Sequence, residues 1–269
     1  MARFQRDDGS LFYDLREGGA PTLVLSHGFG MSSRVFQNLA DKVSSAGFGV
    51  LSYDQRCCGE SDSQFTDVSV ASQGKDLSDL IEHLELEQVV LNGWSFGGAV
   101  VLNAASRLGA RCAGLISTAG AMPRYTQTDD FPHGGQIEDV DATVAAIGAD
   151  RETVLHGLYY EGVFVAPVDD SVKQLCYEIA LEAAPGADAA LSDLARADQR
   201  AELAALSCPG LILHGDADGV VPLSISEAAA EIMPNCDLVV LPGVGHAPFF
   251  EAEEAYTEQV LNFLNRVAG

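Results

Sequence analysis

Five residues, Gly93-Trp94-Ser95-Phe96-Gly97, constrain this chain more than any other stretch. A valine-rich run, residues 88–92, leads into them, and a small-residue helical run, residues 98–105, leads out. A serine held in a sharp strand-to-helix turn tolerates only small neighbours. Glycines at 93 and 97 would let flanking backbone pass close by, so that the Ser95 hydroxyl projects from the sheet edge. Serine is a weak nucleophile until a base reaches it. Read alone, the pentapeptide is equally a flexible turn, and its meaning depends on what else the chain brings.

Two further apolar strands, residues 210–213 and 237–241, each run into a turn that carries titratable groups. The first turn holds Asp216 and Asp218, the second His246. Turns past the carboxyl ends of strands are where open α/β sheets hold their sites. Neutral His246 would take the proton of Ser95 during attack on a carbonyl and hand it to the leaving group. A carboxylate would fix the imidazole tautomer and stabilise its cation. The residues themselves leave Asp216 and Asp218 both open for that part, the other serving the turn.

A third strand, residues 22–26, is followed by His27-Gly28-Phe29-Gly30. A glycine-rich turn after a strand can aim a backbone N–H at a developing oxyanion, and the amides of Phe29 and Phe96 are the expected pair of donors. By itself this run is also a plain tight turn. Residues 53–62 follow a fourth strand, and there Asp54 and Arg56 are expected to tie loops beneath the site without taking part in chemistry.

Together these stretches resemble the α/β-hydrolase superfamily, which includes esterases, lactonases, carbon–carbon bond hydrolases and cofactor-free haloperoxidases. The family's H-G-x-G falls on His27 to Gly30 and its nucleophile elbow on Gly93 to Gly97. Its G-x-x-D-x-x-x-P falls on Gly215 to Pro222, which favours Asp218 over Asp216, and its G-H-x-P-x-x-E on Gly245 to Glu251. The resemblance implies a mostly parallel eight-stranded sheet with helices on both faces, a helical cap insertion, and a triad in the chain order Ser95, Asp218, His246. It implies a serine hydrolase acting on a carboxylic ester or lactone through an acyl-enzyme, and the apolar and aromatic residues of the insertion point to a small, modestly hydrophobic substrate. Carbon–carbon bond hydrolysis, perhydrolysis and acyl transfer by the same triad stay open, as does a non-catalytic ligand receptor on the same scaffold. Cys57 stands where the family commonly has glycine, and Ala247 where ring-cleavage hydrolases usually carry tryptophan. Ser95 argues against the branches that use an aspartate nucleophile.

The chain begins with a hairpin about Asp8-Gly9, then alternates strands with amphipathic stretches at residues 35–43 and 70–86, as a parallel sheet covered on both faces requires. Alternation stops after Gly120. Residues 121–199 carry no strong strand signal; 129–135 reads as a loop, and 153–160, 171–184 and 187–197 as helices. The expected division is therefore a core of residues 1–120 and 200–269 with a helical cap of 121–199. His27, Trp94, Met122, Tyr159 and Phe249 are the candidates for contact with substrate, since small-molecule sites are concave and mostly apolar.

Thirty-nine acidic residues face fifteen basic ones in a chain of 269, a net charge of −24. Such a surface repels nucleic acid and anionic membrane, so a small-molecule substrate is the expected partner. The excess is either an ordinary solvated surface or an adaptation to high salt, where screening relieves self-repulsion. No apolar run approaches the ~18 residues of a membrane span, and the first residues lack the apolar core of a secretory signal. Six cysteines without metal-like spacing fit reduced thiols in a cytoplasm. His27, His83, His133, His156 and His214 show no ligand spacing, so neither metal nor cofactor is expected, and structural or bystander places suit these histidines. The oligomeric state is left open.

Overall fold

The computed structural model describes residues 2–269. Eight strands form one sheet: β1 (Ala2–Arg6), β2 (Gly9–Arg16), β3 (Gly19–Ser26), β4 (Phe48–Tyr53), β5 (Val89–Trp94), β6 (Cys112–Thr118), β7 (Gly210–Gly215) and β8 (Cys236–Leu241). Their order is β1-β2-β4-β3-β5-β6-β7-β8. The opening hairpin pairs antiparallel and β2 joins β4 antiparallel, while every later pairing is parallel. The helices are α1 (Gln37–Ser45), α2 (Val70–His83), α3 (Phe96–Leu108), α4 (Ile137–Ala149), α5 (Arg151–Gly157), α6 (Asp170–Glu182), α7 (Ala189–Leu194), α8 (Arg200–Ala205), α9 (Leu223–Ile232), α10 (Pro248–Glu251) and α11 (Glu253–Ala268).

The central strands are apolar at successive positions because both of their faces are covered. Along β3, Leu23 and Leu25 join the cluster that holds Leu39 and Val43 of α1 and Val260 and Phe263 of α11. Val24 points the other way, into the cluster that holds Leu77 and Leu80 of α2 and Val100 and Val101 of α3. In β7, Leu211 and Leu213 lie in the first cluster and Ile212 in the second. Period-two alternation of side chains thus becomes two separate hydrophobic layers, each stabilised by about 1.5–3 kcal/mol per fully buried large side chain.

Three helices start at short polar caps. Ser69 accepts from Ser72 N before α2, Asp150 from Thr153 N before α5, and Asp169 from Ser171 N before α6. Between β6 and β7 the chain is helical, carrying α4 to α8. The sequence pattern predicts no element over α4. Ile137, Val140, Val144 and Ile147 recur every three or four residues there, but only Val140 and Ile147 are buried, and acids and alanines dilute the contrast between faces. The expected helix at 153–160 is instead two pieces, α5 followed by a π-type turn over Leu158–Gly162.

Candidate active site

Four parallel strands deliver their following loops to one edge of the sheet. After β5 the chain makes its sharp turn at Ser95, with φ 55° and ψ −121°, before α3 begins. A Cβ on residue 93 would collide with Gly97 O, and one on residue 97 with Ser26 O. Neither position can carry a side chain without moving backbone. The turn is pinned on both sides: Ser95 N–H donates to Thr118 O at 3.1 Å, and Ser95 O accepts from Ala121 N at 2.9 Å. Beneath it, Asn92, Thr118 and Tyr256 close a buried polar ring, with Asn92 Nδ2 donating to Tyr256 Oη at 2.9 Å and Thr118 Oγ1 donating to Asn92 Oδ1 at 2.8 Å.

The loops after β7 and β8 bring Asp218 and His246 together. His246 Nδ1 lies 2.8 Å from Asp218 Oδ2, with the carboxylate side chain wholly buried. Asp218 Oδ1 accepts from Val220 N at 2.7 Å and Val221 N at 3.0 Å. Burial would push this carboxyl up, but the facing His246, with hydrogen bonds from His214 and His246, holds it well below the usual carboxylate range. Asp216 is elsewhere: exposed, accepting from Gly243 N at 2.6 Å, it braces the turn after β8.

His246 is fixed through its backbone as well. Trp94 Nε1 donates to His246 O at 2.8 Å, and His246 N donates to Val163 O at 2.9 Å. Glu251 accepts from Gly245 N, Ala247 N, Val165 N and Ala166 N at 2.8–3.0 Å. One carboxylate therefore ties the histidine loop to the segment that follows the π-type turn.

Ser95 and His246 line one cavity of about 310 Å3, together with Gly28, Phe29, Trp94, Phe96 and Val220 of the sheet edge. No direct hydrogen bond joins the Ser95 hydroxyl to His246 among the described residues; such bonds commonly tighten only around substrate. The amides of Phe29 and Phe96 donate to no other group among the described residues, and both residues line the cavity with Ser95. The segment between β6 and β7 supplies Tyr125, Thr143, Leu158, Tyr159, Leu191 and Leu194 to the opposite wall. The lining holds no aspartate, glutamate, lysine or arginine. A chain of net charge −24 thus keeps this wall uncharged.

Trp94 and Tyr159, expected to touch substrate, do line the cavity, but His27, Met122 and Phe249 do not. His27 is completely buried and structural: Nδ1–H donates to Gly28 O at 2.8 Å and Nε2 accepts from Gln55 N at 3.0 Å. Phe249 packs behind the wall, its ring centroid 5.0 Å from that of Trp94. Met122 is 1% exposed and belongs to the core. Asp54 accepts from Ser33 N and Glu60 N, and Arg56 pairs with buried Asp76, so both tie loops together. Cys57 adopts φ 63° at the position where glycine was expected. Among the described residues no group of three or more His, Cys, Asp or Glu side chains is placed to hold a metal ion. No described helix is long and apolar enough to cross a membrane.

Comparison with known proteins agrees with this architecture. A family model described as alpha/beta hydrolase fold matches residues 21–253. The chain is 29% identical to AB hydrolase superfamily protein YisY of Bacillus subtilis, over 95% of this chain and 96% of that one. It is 28% identical to the pimeloyl-[acyl-carrier protein] methyl ester esterase of Chromobacterium violaceum, covering 93% of this chain and 97% of that one. Among solved structures, the esterase EaEST from Exiguobacterium antarcticum superposes with a TM-score of 0.91 at 25% identity, covering 96% of each chain.

Proposed function

Because this chain belongs to the alpha/beta hydrolase fold family, we propose that it is a serine hydrolase that cleaves a small, modestly hydrophobic carboxylic ester or lactone. The observation that carries this reading is the buried Asp218–His246 contact at 2.8 Å, in a wall that also holds Ser95. Esterases among its relatives support the same class.

The Asp218–His246 contact supports a serine-nucleophile mechanism. Asp218, ionised, accepts from His246 Nδ1–H and so leaves Nε2 free to act as base. Nε2 takes the proton as Ser95 Oγ attacks the substrate carbonyl. The oxyanion is met by the amides of Phe29 and Phe96, each donor contributing about 2.7–4 kcal/mol of transition-state stabilisation in comparable sites. His246 then protonates the leaving alcohol, and an acyl group remains on Ser95. Water, deprotonated by His246, releases the acid. Residues 121–199 act as the cap, whose Leu158, Tyr159, Leu191 and Leu194 shape the acyl pocket. The uncharged lining suits a neutral acyl chain, since an unpaired charge would be costly to desolvate there.

The test is a panel of neutral and carboxylate-bearing p-nitrophenyl esters and lactones of graded size, assayed with stopped-flow detection. The proposal expects a nitrophenol burst and preference for small neutral acyl groups. Turnover of a vinylogous diketone with no ester turnover would move the chain to carbon–carbon hydrolysis and defeat the proposal.

A further inference from the structure

We propose that Cys112 and Cys208 form a peroxide-responsive thiol pair that becomes an intrachain disulfide between the start of β6 and the segment that enters β7. The pair lies at the sheet edge opposite the active site and takes no part in the chemistry above. Their sulfurs are 3.8 Å apart although the residues are 96 positions apart in sequence. Both line one surface cavity of about 370 Å3, beside Ser106, Glu202 and Ser207, which gives a small oxidant a route to them. Cys112 opens β6, and Cys208 sits just before β7. The backbones are held side by side there: Leu115 pairs with Gly210, and Leu115 N donates to Pro209 O at 3.1 Å. Closing the sulfurs to the ~2.05 Å of a disulfide therefore calls for local side-chain movement and leaves the sheet register intact.

The two thiols have different parts. Cys208 is half-buried and Cys112 buried. The Cys208 contact and burial push the Cys112 thiol up, and Cys208 is the more exposed of the two. Cys208 is then the attacking sulfur. Its thiolate attacks the O–O bond of a hydroperoxide, giving Cys208 sulfenic acid and an alcohol. The Cys112 thiol attacks that sulfur and expels water. In balance, two thiols and one hydroperoxide give one disulfide, one alcohol and one water. The bridge encloses the whole insertion and joins the strand it leaves to the segment by which it returns. The other cysteines have no such arrangement: Cys58 and Cys176 are buried with thiols pushed up by burial, Cys176 to about 12. Cys236 is the nearest competitor for Cys208, its thiol raised to about 12 mainly by burial.

The experiment treats the reduced full-length protein with tert-butyl hydroperoxide, counts thiols, and maps a non-reducing digest by mass spectrometry. The expected result is loss of two thiols per chain and a Cys112–Cys208 linked peptide pair that dithiothreitol releases. The oxidised wild type should also melt at a higher temperature than the reduced protein, whereas Cys208→Ser should show no rise. In Cys112→Ser, Cys208 sulfenic acid should persist and be trapped by dimedone. A linkage at Cys57–Cys58, at Cys208–Cys236 or between chains, over-oxidation of Cys208 without linkage, or no loss of thiols would each overturn the proposal. The mapping is made on the wild type, so it stands whether or not either variant folds.

Discussion

His214 Nε2 lies 3.2 Å from Asp218 Oδ2, the same oxygen that faces His246. It also lies 2.9 Å from Val221 O. Both neighbours only accept, so Nε2 carries the hydrogen and is shared between them. Nδ1 is then the acceptor and takes the Ser226 hydroxyl at 2.7 Å. This buried second imidazole is a positioning residue, steering the carboxylate that steers His246. His214→Gln, which loses that fixed ring geometry, should lower kcat by about tenfold with KM nearly unchanged, about 1.4 kcal/mol of transition-state stabilisation. Steady-state kinetics on a variant with an unchanged melting curve would check it.

The two aspartates of the β7 loop should separate cleanly. Asp218→Ala should cost on the order of 10⁴-fold in kcat if Asp218 orients the base. Asp216→Ala removes only a brace on Gly243 N and should leave kcat within about threefold, at a stability cost near 1 kcal/mol. Parallel kinetics of the two variants make the comparison, and a large loss at Asp216 would reverse the assignment.

Glu251 satisfies four backbone N–H groups drawn from two loops. Glu251→Ala should destabilise the protein by about 2–3 kcal/mol, a fall of roughly 5–10 °C in melting temperature. It should also lower activity, because the histidine loop loses its tie to Val165 and Ala166. Calorimetry and an ester assay on the same preparation would show whether the two losses come together.

His27 should give stability a pH dependence. Burial holds its folded-state pKa below the ordinary histidine value, outweighing the facing Asp54 and the bond to Gly28 O. The unfolded chain therefore binds the proton more readily. Its contribution to stability is present above about pH 6.5 and is lost as pH falls from there toward the folded-state value, at no more than about 1.4 kcal/mol per unit. Urea melts across this range should show the slope, and His27→Asn should flatten it.

The parts of this molecule that sequence made legible are those where a local rule has one solution. The glycines flanking Ser95 mark a turn because no Cβ fits there, and the continuous apolar runs at β3, β5 and β7 mark a sheet covered on both faces. The substrate wall was less legible. His27 and Phe249 belong to motifs, yet they serve the loops behind the wall, because a residue two positions away in sequence can face the other side of a turn. His214 read as a bystander although it stands only four residues before Asp218, because the local fold of the β7 loop that brings them together follows no spacing rule. Asn92, Thr118 and Tyr256 come from three distant segments, and no spacing rule joins them. The helix α4 was missed because its apolar repeat is diluted by alanine and acid.

The most direct test of the central claim is covalent labelling with a serine-directed phosphonate, mapped by mass spectrometry. The account predicts one label per chain on Ser95, with p-nitrophenyl ester turnover lost in step. It predicts no label in Ser95→Ala and labelling slowed by several orders of magnitude in His246→Ala. A wild-type chain that folds, turns over no ester and takes no label at Ser95, or a His246→Ala variant labelled as fast as the wild type, would contradict it.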